Sequence, residues 1–379
     1  LWVQLAFRYP RMKILEVGAG TGSATREVLD RIGRDYHSYT YTDISAAFFE
    51  EAQSMFVADK DRFIYQVLDL ERDPTEQGFP EHEYNLIIAS NVLHATRSLS
   101  KTMTHLRRLL KPGGRTIVLE MAEPEDVAVS TIFGAFEGWW LGENDGRPWG
   151  PIVSSDTWDQ VLQNSGFGGF ETLSPRAVID ETGLMVFSAQ AVDDRIAKLQ
   201  HPLSVPATEQ YPDLVIVGGA SARTEHLVAK VRNRVAPYFA RVSHFVTLEA
   251  FVPPPNALLM AVLVLSDMDT PCLQDISVER LHSMQELFRK TGKLLWTATG
   301  KPGENPYQVM TKGLLRNLAS EIPHALIQHL TISEPCADDS ETLATALMRL
   351  VHTDFYNDYS LADGTENPEW ELRLENGIM

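Results

Sequence analysis

Apolar and polar positions alternate along the first half of the chain with two different periods. Short apolar runs that predict β-strands are separated by stretches with apolar residues three and four positions apart, which predict amphipathic helices. The predicted strands are Lys13–Val17, Ser38–Thr42, Phe63–Leu68, Tyr84–Ala89, Thr116–Met121, Gly169–Leu173 and Leu184–Ala189. Strands that alternate with helices are typical of a βαβ sheet. The last two strands have no long helix between them, which predicts an antiparallel edge pair on an otherwise parallel sheet.

The alternation pauses and then restarts in the second half of the chain. Residues 201–212 are polar and contain proline, so they predict a linker. Strands are predicted after it at Leu214–Val217, Leu258–Leu265, Lys293–Thr297, Leu326–Thr331 and Trp370–Leu374, with helices at Thr224–Val235, Val278–Lys290, Tyr307–Ser320 and Glu341–Val351. We therefore expect two α/β domains, residues 1–200 and 213–379, of which the second is smaller and also Rossmann-like.

Composition narrows the class of protein. With 379 residues, 44% hydrophobic and 22% charged, the chain has the make-up of two ordinary globular domains. Its net charge of −18 disfavours a nucleic-acid partner, because phosphates would be repelled. Two cysteines are too few for a disulfide framework, and no apolar run is long enough to span a membrane, so we expect a cytoplasmic location. The chain begins with Leu1, and we expect it to be a segment of a longer polypeptide.

The first candidate site is a glycine turn directly after the first strand. The sequence from Ile14 to Gly22 is Ile-Leu-Glu-Val-Gly-Ala-Gly-Thr-Gly, and a helix is predicted to open behind it. Glycines allow a backbone to approach a nucleotide-like ligand closely. Glu16 would suit a ligand with a positive charge or free hydroxyl groups better than it would suit a phosphate. S-adenosylmethionine fits that description better than NAD or ATP.

Two further acidic residues follow the next two strands. Asp43 is placed to accept hydrogen bonds from both hydroxyls of a ribose, although it could also cap the helix that follows. Asp69 could accept a hydrogen bond from an exocyclic amine such as that of adenine, or it could be a solvated loop residue. Because ligands of open α/β sheets bind at the carboxyl ends of the strands, three acids at that edge together predict an S-adenosylmethionine site.

A candidate general base follows the fourth strand. His94 lies in Asn91-Val92-Leu93-His94, and Glu120 ends the fifth strand, which is expected to be the neighbour of the fourth. A histidine held by a carboxylate is a suitable base near pH 7. The alternatives are a packing histidine and an acid at a strand end. His82, His94 and His105 show no metal-ligand spacing, and methyl transfer from a sulfonium needs no metal, so we expect none.

Aromatic residues cluster between the fifth strand and the next helix. Trp139 and Trp140 are followed by Asp145-Gly146-Arg147-Pro148-Trp149. Such a segment could form an aromatic wall over a substrate pocket, or it could anchor a long loop to the core. We expect Trp139 and Trp140 to contact the substrate.

Five motifs together resemble one family. They are Pro10–Gly22, Tyr41–Ser45, Asn91–Thr96, Leu110–Gly114 and Gly138–Gly142. With them, essentially the whole chain resembles the C-methyltransferase domain of fungal highly reducing iterative polyketide synthases, followed by their pseudo-ketoreductase domain. The resemblance implies a class I methyltransferase sheet followed by a truncated, reductase-derived Rossmann-like domain. In the family a helical subdomain precedes the glycine motif, whereas here about a dozen residues do.

The resemblance also implies an activity. It is α-C-methylation of a β-ketoacyl thioester on an acyl carrier protein, with S-adenosylmethionine as the cofactor, neighbouring synthase domains as partners, and His94 and Glu120 as the catalytic pair. We expect cofactor contacts from Glu16, Gly18, Gly20, Gly22, Asp43, Ile44, Asp69, Leu70 and Asn91. The alternatives are an O-methyltransferase that acts on a small phenol and a scaffold in which both domains are vestigial.

The second domain lacks the residues of a working reductase. Gly218-Gly219 is followed by Ala-Ser-Ala-Arg, without the later glycine of a dinucleotide turn. Residues 213–379 contain no Tyr-x-x-x-Lys sequence, and Tyr307 has Thr311 where the lysine would be needed. We therefore expect this domain to be structural and inactive as a reductase.

Overall fold

The computed structural model describes residues 2–122, 127–204, 210–254, 259–301, 304–333, 338–353 and 371–374. The described chain divides into two compact units, and the division falls between Ile196 and Ala197. Residues 205–209 of the predicted linker lie outside the described residues, as do Leu258 and Trp370 at the starts of two predicted strands.

The first unit is built on seven strands. These are β1 (Lys13–Val17), β2 (Ser38–Asp43), β3 (Phe63–Val67), β4 (Tyr84–Ser90), β5 (Leu110–Met121), β6 (Thr172–Leu173) and β7 (Leu184–Gln190). Its helices are α1 (Trp2–Arg8), α2 (Ser23–Ile32), α3 (Phe49–Met55), α4 (Leu99–Leu109), α5 (Val127–Phe133), α6 (Ser155–Asn164) and α7 (Arg176–Thr182). The next helix, α8 (Asp194–Gln200), contains the division between the units.

The strands form one sheet in the order β3-β2-β1-β4-β5-β7-β6. Strands β1 to β5 are parallel, whereas β7 runs antiparallel to β5 and β6 antiparallel to β7. The predicted fold class and antiparallel edge are thus confirmed. Because β1 lies between β2 and β4, the strand order reverses there, and ligands of such sheets bind at this point.

One predicted strand is much shorter than expected. The apolar run Gly169–Leu173 forms a strand only over Thr172–Leu173. Gly169 has a φ of 82°, in the left-handed region, which an extended strand cannot contain. The side chain of Asp159 also accepts a hydrogen bond from the backbone N–H of Phe170, so this segment is held to α6.

Both faces of the first sheet are buried. On β1, Leu15 and Val17 belong to one hydrophobic cluster, whereas Ile14 belongs to another on the opposite face with Tyr39 and Tyr41 of β2. Helices on both sides of a parallel sheet produce this pattern, and they explain why the strands read as continuous apolar runs. Polar side chains in this sheet therefore come to the surface mainly where the strands end.

The second unit has a six-stranded parallel sheet in the order β13-β12-β11-β10-β8-β9. Its strands are β8 (Tyr211–Val217), β9 (Phe239–Phe245), β10 (Met260–Val264), β11 (Thr291–Thr299), β12 (Leu326–Ile332) and β13 (Glu371–Leu374). Its helices are α9 (Ala222–Val235), α10 (Val278–Lys290), α11 (Pro306–Glu321) and α12 (Ser340–His352). The sequence did not predict β9, because this edge strand pairs only with β8 and most of its residues are partly or fully exposed.

The described residues contain neither a membrane-spanning helix nor a metal-binding cluster. Among these residues, no helix combines the length and the apolar character that crossing a membrane would require. The same residues contain no group of three or more His, Cys, Asp or Glu side chains arranged to hold a metal ion.

Candidate active site

The three glycines after β1 have different surroundings. Gly18, Gly20 and Gly22 have φ values of 60°, 55° and 76°, which favour glycine. A Cβ on Gly18 would lie 2.3 Å from Val92 Cγ2, and one on Gly22 would lie 3.0 Å from the ring of Phe56. A Cβ on Gly20 would meet nothing closer than a backbone oxygen at 4.0 Å. Packing therefore requires glycine at position 18 and leaves only a tight fit for a Cβ at position 22, whereas Gly20 borders open space that a ligand can fill.

Strand β2 holds this turn in place. The carboxylate Oδ2 of Asp43 accepts a hydrogen bond from Gly20 N at 3.0 Å, and the Tyr41 hydroxyl donates to Gly20 O at 2.6 Å. Asp43 Oδ1 accepts a second bond from Ser45 N at 2.9 Å. Asp43 therefore holds both the glycine turn that follows β1 and the backbone that follows β2. A carboxylate has about four acceptor positions, so this one retains capacity for the hydroxyls of a ribose.

Glu16 lies beneath the turn. Its Oε2 accepts hydrogen bonds from the Tyr39 hydroxyl and from Thr25 Oγ1, each at 2.5 Å. The side chain is buried, and this burial raises the pKa of the carboxyl group to about 7, even though both hydrogen bonds act to lower it. The group ties β1 to β2 and to α2. A direct contact between Glu16 and a ligand stays a prediction.

The other predicted cofactor residues differ in where their side chains lie. Ile44, which is 70% exposed, Asp69 and Asn91 follow the ends of β2, β3 and β4 and therefore share one edge of the sheet. Leu70 is different, because its side chain belongs to the hydrophobic core and its carbonyl oxygen lies 2.8 Å from His105 Nδ1. The structure brings the first three residues to the glycine turn's edge of the sheet, whereas the side chain of Leu70 packs inside.

His94 and Glu120 are in direct contact. His94 Nδ1 lies 2.5 Å from Glu120 Oε2. The other carboxylate oxygen, Oε1, accepts the backbone N–H groups of Val92, Leu93 and His94 at 3.2, 2.8 and 3.3 Å. Since an ionised carboxylate can only accept, this network assigns the ring proton to Nδ1 and leaves Nε2 with a lone pair. The Glu120 side chain is buried and that of His94 is 14% exposed, so a substrate can reach the imidazole.

The loop after the paired tryptophans supplies residues that the sequence did not reveal. Arg147 donates from Nη1 to His94 O at 2.9 Å and from Nη2 to Thr96 O at 2.6 Å. It also forms an ion pair with Asp145 at 3.3 Å. The guanidinium is buried, and this burial lowers its pKa. A buried arginine depends on contacts that are distant in sequence, so no local pattern identifies it.

The two predicted substrate residues have different environments. Trp139 is buried, stacks on Phe133 with ring centroids 5.6 Å apart, and lines a cleft of about 370 Å³ together with Trp149. Trp140 does not line this cleft, is 42% exposed, and donates from its indole nitrogen to Gly134 O at 2.9 Å. Trp139 therefore lines a cleft, whereas Trp140 lies on the surface.

Comparison with known proteins identifies the family. A family model described as "Methyltransferase domain" matches residues 15–116, which run from β1 into β5. The highly reducing polyketide synthase verA of Penicillium polonicum is 48% identical over 379 residues and 99% of this chain. The corresponding synthase aurA of Calcarisporium arbuscula is 46% identical over 389 residues, again over 99% of the chain. The first unit is a methyltransferase domain in a chain homologous to fungal highly reducing polyketide synthases.

The homology covers a small part of those relatives. The chain spans 15% of the length of verA and 16% of the length of aurA. Among solved structures, the carbon methyltransferase CurJ is 38% identical, with a TM-score of 0.44, over 48% of this chain and 49% of that one.

The cofactor of the methyltransferase domain is S-adenosylmethionine, and the residues at the sheet edge fit it. Gly20 leaves open space beside the turn, and Asp43 has acceptor capacity for ribose hydroxyls. Ile44 offers an exposed apolar surface beside Asp43, and Asp69 follows the next strand. These groups match the hydroxyl, apolar and amine parts of an adenosine.

Proposed function

We propose that the methyltransferase domain transfers a methyl group to the α-carbon of a β-ketoacyl thioester carried by the phosphopantetheine arm of an acyl carrier protein. The observation that carries this proposal is the contact of His94 Nδ1 with Glu120 Oε2 at 2.5 Å. It lies at the same edge of the sheet as Gly20 and Asp43, which we call the cofactor edge. A base is needed for transfer to carbon, because a C–H bond must be broken before the new bond forms. The names of the homologous synthases support a polyketide substrate.

His94 acts as the general base in this mechanism. The α-carbon of a β-ketoacyl thioester lies between two carbonyl groups, so its proton is acidic enough for an imidazole to remove. Nε2 of His94 accepts the proton, and the electron pair of the C–H bond passes into the enolate. The imidazolium that forms is stabilised by Glu120, whose charge is already held by three backbone N–H groups.

The residues at the cofactor edge would orient the methyl donor, S-adenosylmethionine. When bound, S-adenosylmethionine supplies a methyl group on a positively charged sulfur, whose bond electrons remain on sulfur as the enolate's electron pair forms the new carbon–carbon bond. Gly20 and Asp43 would hold the sugar end of the cofactor, and His94 would hold the acceptor carbon through its proton. Alignment of two reactants in one site accounts for much of the rate gain that such an enzyme can achieve.

We propose further that the second unit is structural and binds no dinucleotide. In dinucleotide-binding units, the pyrophosphate lies against the backbone N–H groups at the start of the first helix. Here Asp269 Oδ2 accepts hydrogen bonds from Ala220 N at 3.1 Å and from Ser221 N at 3.4 Å, and Oδ1 accepts from Ser221 Oγ at 2.5 Å. The chain's own carboxylate thus occupies the position that a phosphate would need.

The homology of the chain bears on its partners and its cellular location. Its relatives are large synthases, which supports neighbouring synthase domains as partners. We propose that the carrier protein is one of them and that the protein works in the cytoplasm. Among the described residues Cys272 is a free, buried thiol, which is compatible with a reducing compartment.

The position of the transferred methyl group tests the proposed function. The chain is incubated with S-adenosylmethionine labelled with ¹³C in its methyl group and with a β-ketoacyl pantetheine, and in parallel with a small phenol. We expect the NMR signal of a methyl group on the α-carbon of the thioester. Transfer to the phenol oxygen alone would indicate an O-methyltransferase. If calorimetry detects no binding of S-adenosylmethionine at all, the chain is a non-catalytic scaffold.

A further inference from the structure

We infer that Arg147 is a positioning residue, which holds His94 in the orientation that proton removal requires. This inference rests on the proposed function of His94 as the base. Neither the side chain of Arg147 nor that of its partner Asp145 bonds to the imidazole ring. Arg147 acts instead through the backbone that carries the ring.

The guanidinium group binds two carbonyls of one short turn. Nη1 donates to His94 O at 2.9 Å, and Nη2 donates to Thr96 O at 2.6 Å. The planar fork of an arginine fixes both the distance and the direction of its acceptors. The side chain is only 4% exposed, so water competes little for these bonds. Thr96 is held as well by a bond from its hydroxyl to Leu93 O at 2.8 Å.

The same turn is bound from its other side by Glu120. That carboxylate accepts the N–H groups of Val92, Leu93 and His94, whereas Arg147 takes the carbonyl oxygens of His94 and Thr96. Donors and acceptors of one turn are therefore matched by a buried anion and a buried cation. Together they fix the backbone of His94, from which the direction of the ring follows.

Asp145 connects the arginine to the rest of the domain. Its Oδ2 lies 3.3 Å from Arg147 Nη2 and accepts the backbone N–H of Leu99, the first residue of α4, at 2.9 Å. The guanidinium packs against Gly142, where a Cβ would lie 2.5 Å from Arg147 Cζ. A side chain at position 142 would therefore clash with the guanidinium of Arg147, and glycine at this position avoids the clash.

Arg107 provides a matched control, because its guanidinium also donates hydrogen bonds to backbone carbonyls, but away from His94. It donates from Nε to Gly166 O and from Nη2 to Val192 O, each at 2.9 Å, and it belongs to the same unit. Burial lowers the pKa of Arg107 as it does that of Arg147. Substitution of either arginine by lysine removes a guanidinium group that binds several backbone carbonyls, but only Arg147 touches the turn that carries His94.

The test compares Arg147→Lys with Arg107→Lys in the full chain. A lysine keeps the charge but cannot bind two carbonyls in a fixed plane. For Arg147→Lys we expect kcat with a β-ketoacyl pantetheine to fall by about tenfold or more, while the Kd of S-adenosylmethionine changes by less than about threefold. For Arg107→Lys we expect a lower unfolding temperature and a kcat within about twofold of the original. Equal values of kcat in the two variants would overturn the inference.

An NMR measurement tests the same inference without turnover. In protein labelled with ¹⁵N-histidine, the Nδ1 proton of His94 should give a strongly downfield signal because of its bond to Glu120. We expect this signal to shift or broaden in Arg147→Lys and to persist in Arg107→Lys. An unchanged signal in Arg147→Lys would overturn the inference. This result holds even if the original chain transfers no methyl group, an outcome that would count against the proposed function instead.

Discussion

Glu120 Oε2 lies 2.5 Å from His94 Nδ1 while Glu120 Oε1 binds three backbone N–H groups of the turn that carries His94. One buried carboxylate therefore sets both the tautomer of the histidine and the shape of its loop. This relationship joins the ends of β4 and β5, and it explains how two residues 26 positions apart form one functional unit.

Glu120→Gln should convert the base to the wrong tautomer. A glutamine can keep the backbone N–H bonds through its carbonyl oxygen, but its NH₂ group then donates to Nδ1 and moves the ring proton to Nε2. We expect kcat to fall on the order of 10²-fold or more with the Kd of S-adenosylmethionine little changed. Steady-state kinetics with a β-ketoacyl pantetheine and calorimetry with the cofactor measure the two quantities. A kcat near the original value would mean that the carboxylate does not orient the base.

The glycines of the turn should separate cofactor binding from folding. Gly20→Ala places a methyl group in the open space beside the turn, so we expect weaker cofactor binding, by about tenfold, with a modest loss of stability of roughly 1 kcal/mol from its positive φ. Gly18→Ala forces its Cβ into Val92, so we expect a much larger loss of stability. Calorimetric titration and thermal unfolding distinguish the two effects. Equal unfolding temperatures for both variants would contradict this account.

Glu16→Gln should change how stability depends on pH. The pKa of Glu16 in the folded chain is about 7, above the ordinary value of 4.5, so its stabilising contribution is complete below about pH 4.5 and is lost as the pH rises through 7. Glutamine does not ionise but can still accept the bonds from Tyr39 and Thr25. The stability of the variant relative to the original should therefore increase between pH 5 and pH 8, by up to about 3 kcal/mol. Urea unfolding of the first unit at both pH values measures this, and a difference that does not change with pH would refute it.

Asp269→Ala should destabilise the second unit without creating a reductase. In the original chain, Asp269 Oδ2 accepts hydrogen bonds from the backbone N–H groups of Ala220 and Ser221 and, at 2.6 Å, from the Thr224 hydroxyl. The substitution leaves these three donors without that acceptor. We expect a loss of about 1–3 kcal/mol and an unchanged affinity of the first unit for S-adenosylmethionine. Fluorescence titration with NADPH should detect no binding to the original chain. Saturable NADPH binding there would show that Asp269 does not fill the phosphate position.

The sequence predicted the sheet well because buried parallel strands are continuous apolar runs. Strand β1 and helix α10 have the bounds that were expected. Strand β9 was missed, since its residues include Arg241 and an exposed edge strand carries no such run. The pairing of His94 with Glu120 could be predicted because His94 follows the end of β4 and Glu120 lies at the end of the neighbouring strand β5.

Other parts of the site depend on contacts that a sequence does not display. Nothing local indicates that the side chain of Leu70 packs in the core or that Glu16 bonds to Tyr39 below the turn. The role of Arg147 is hidden in the same way, because the two carbonyls that it binds in the His94 turn lie about fifty residues earlier in the chain. Tertiary packing decides such side chains, and periodicity carries no information about it.

Mass spectrometry of a single turnover shows directly whether His94 is the base for methyl transfer to the α-carbon. The chain, preloaded with S-adenosylmethionine, is mixed with a β-ketoacyl pantetheine, and a His94→Ala variant is treated in the same way after its cofactor affinity has been measured. We expect a thioester heavier by one methylene group from the original chain and none from the variant, although both bind the cofactor. Methylated thioester formed at equal rates by both proteins would contradict it.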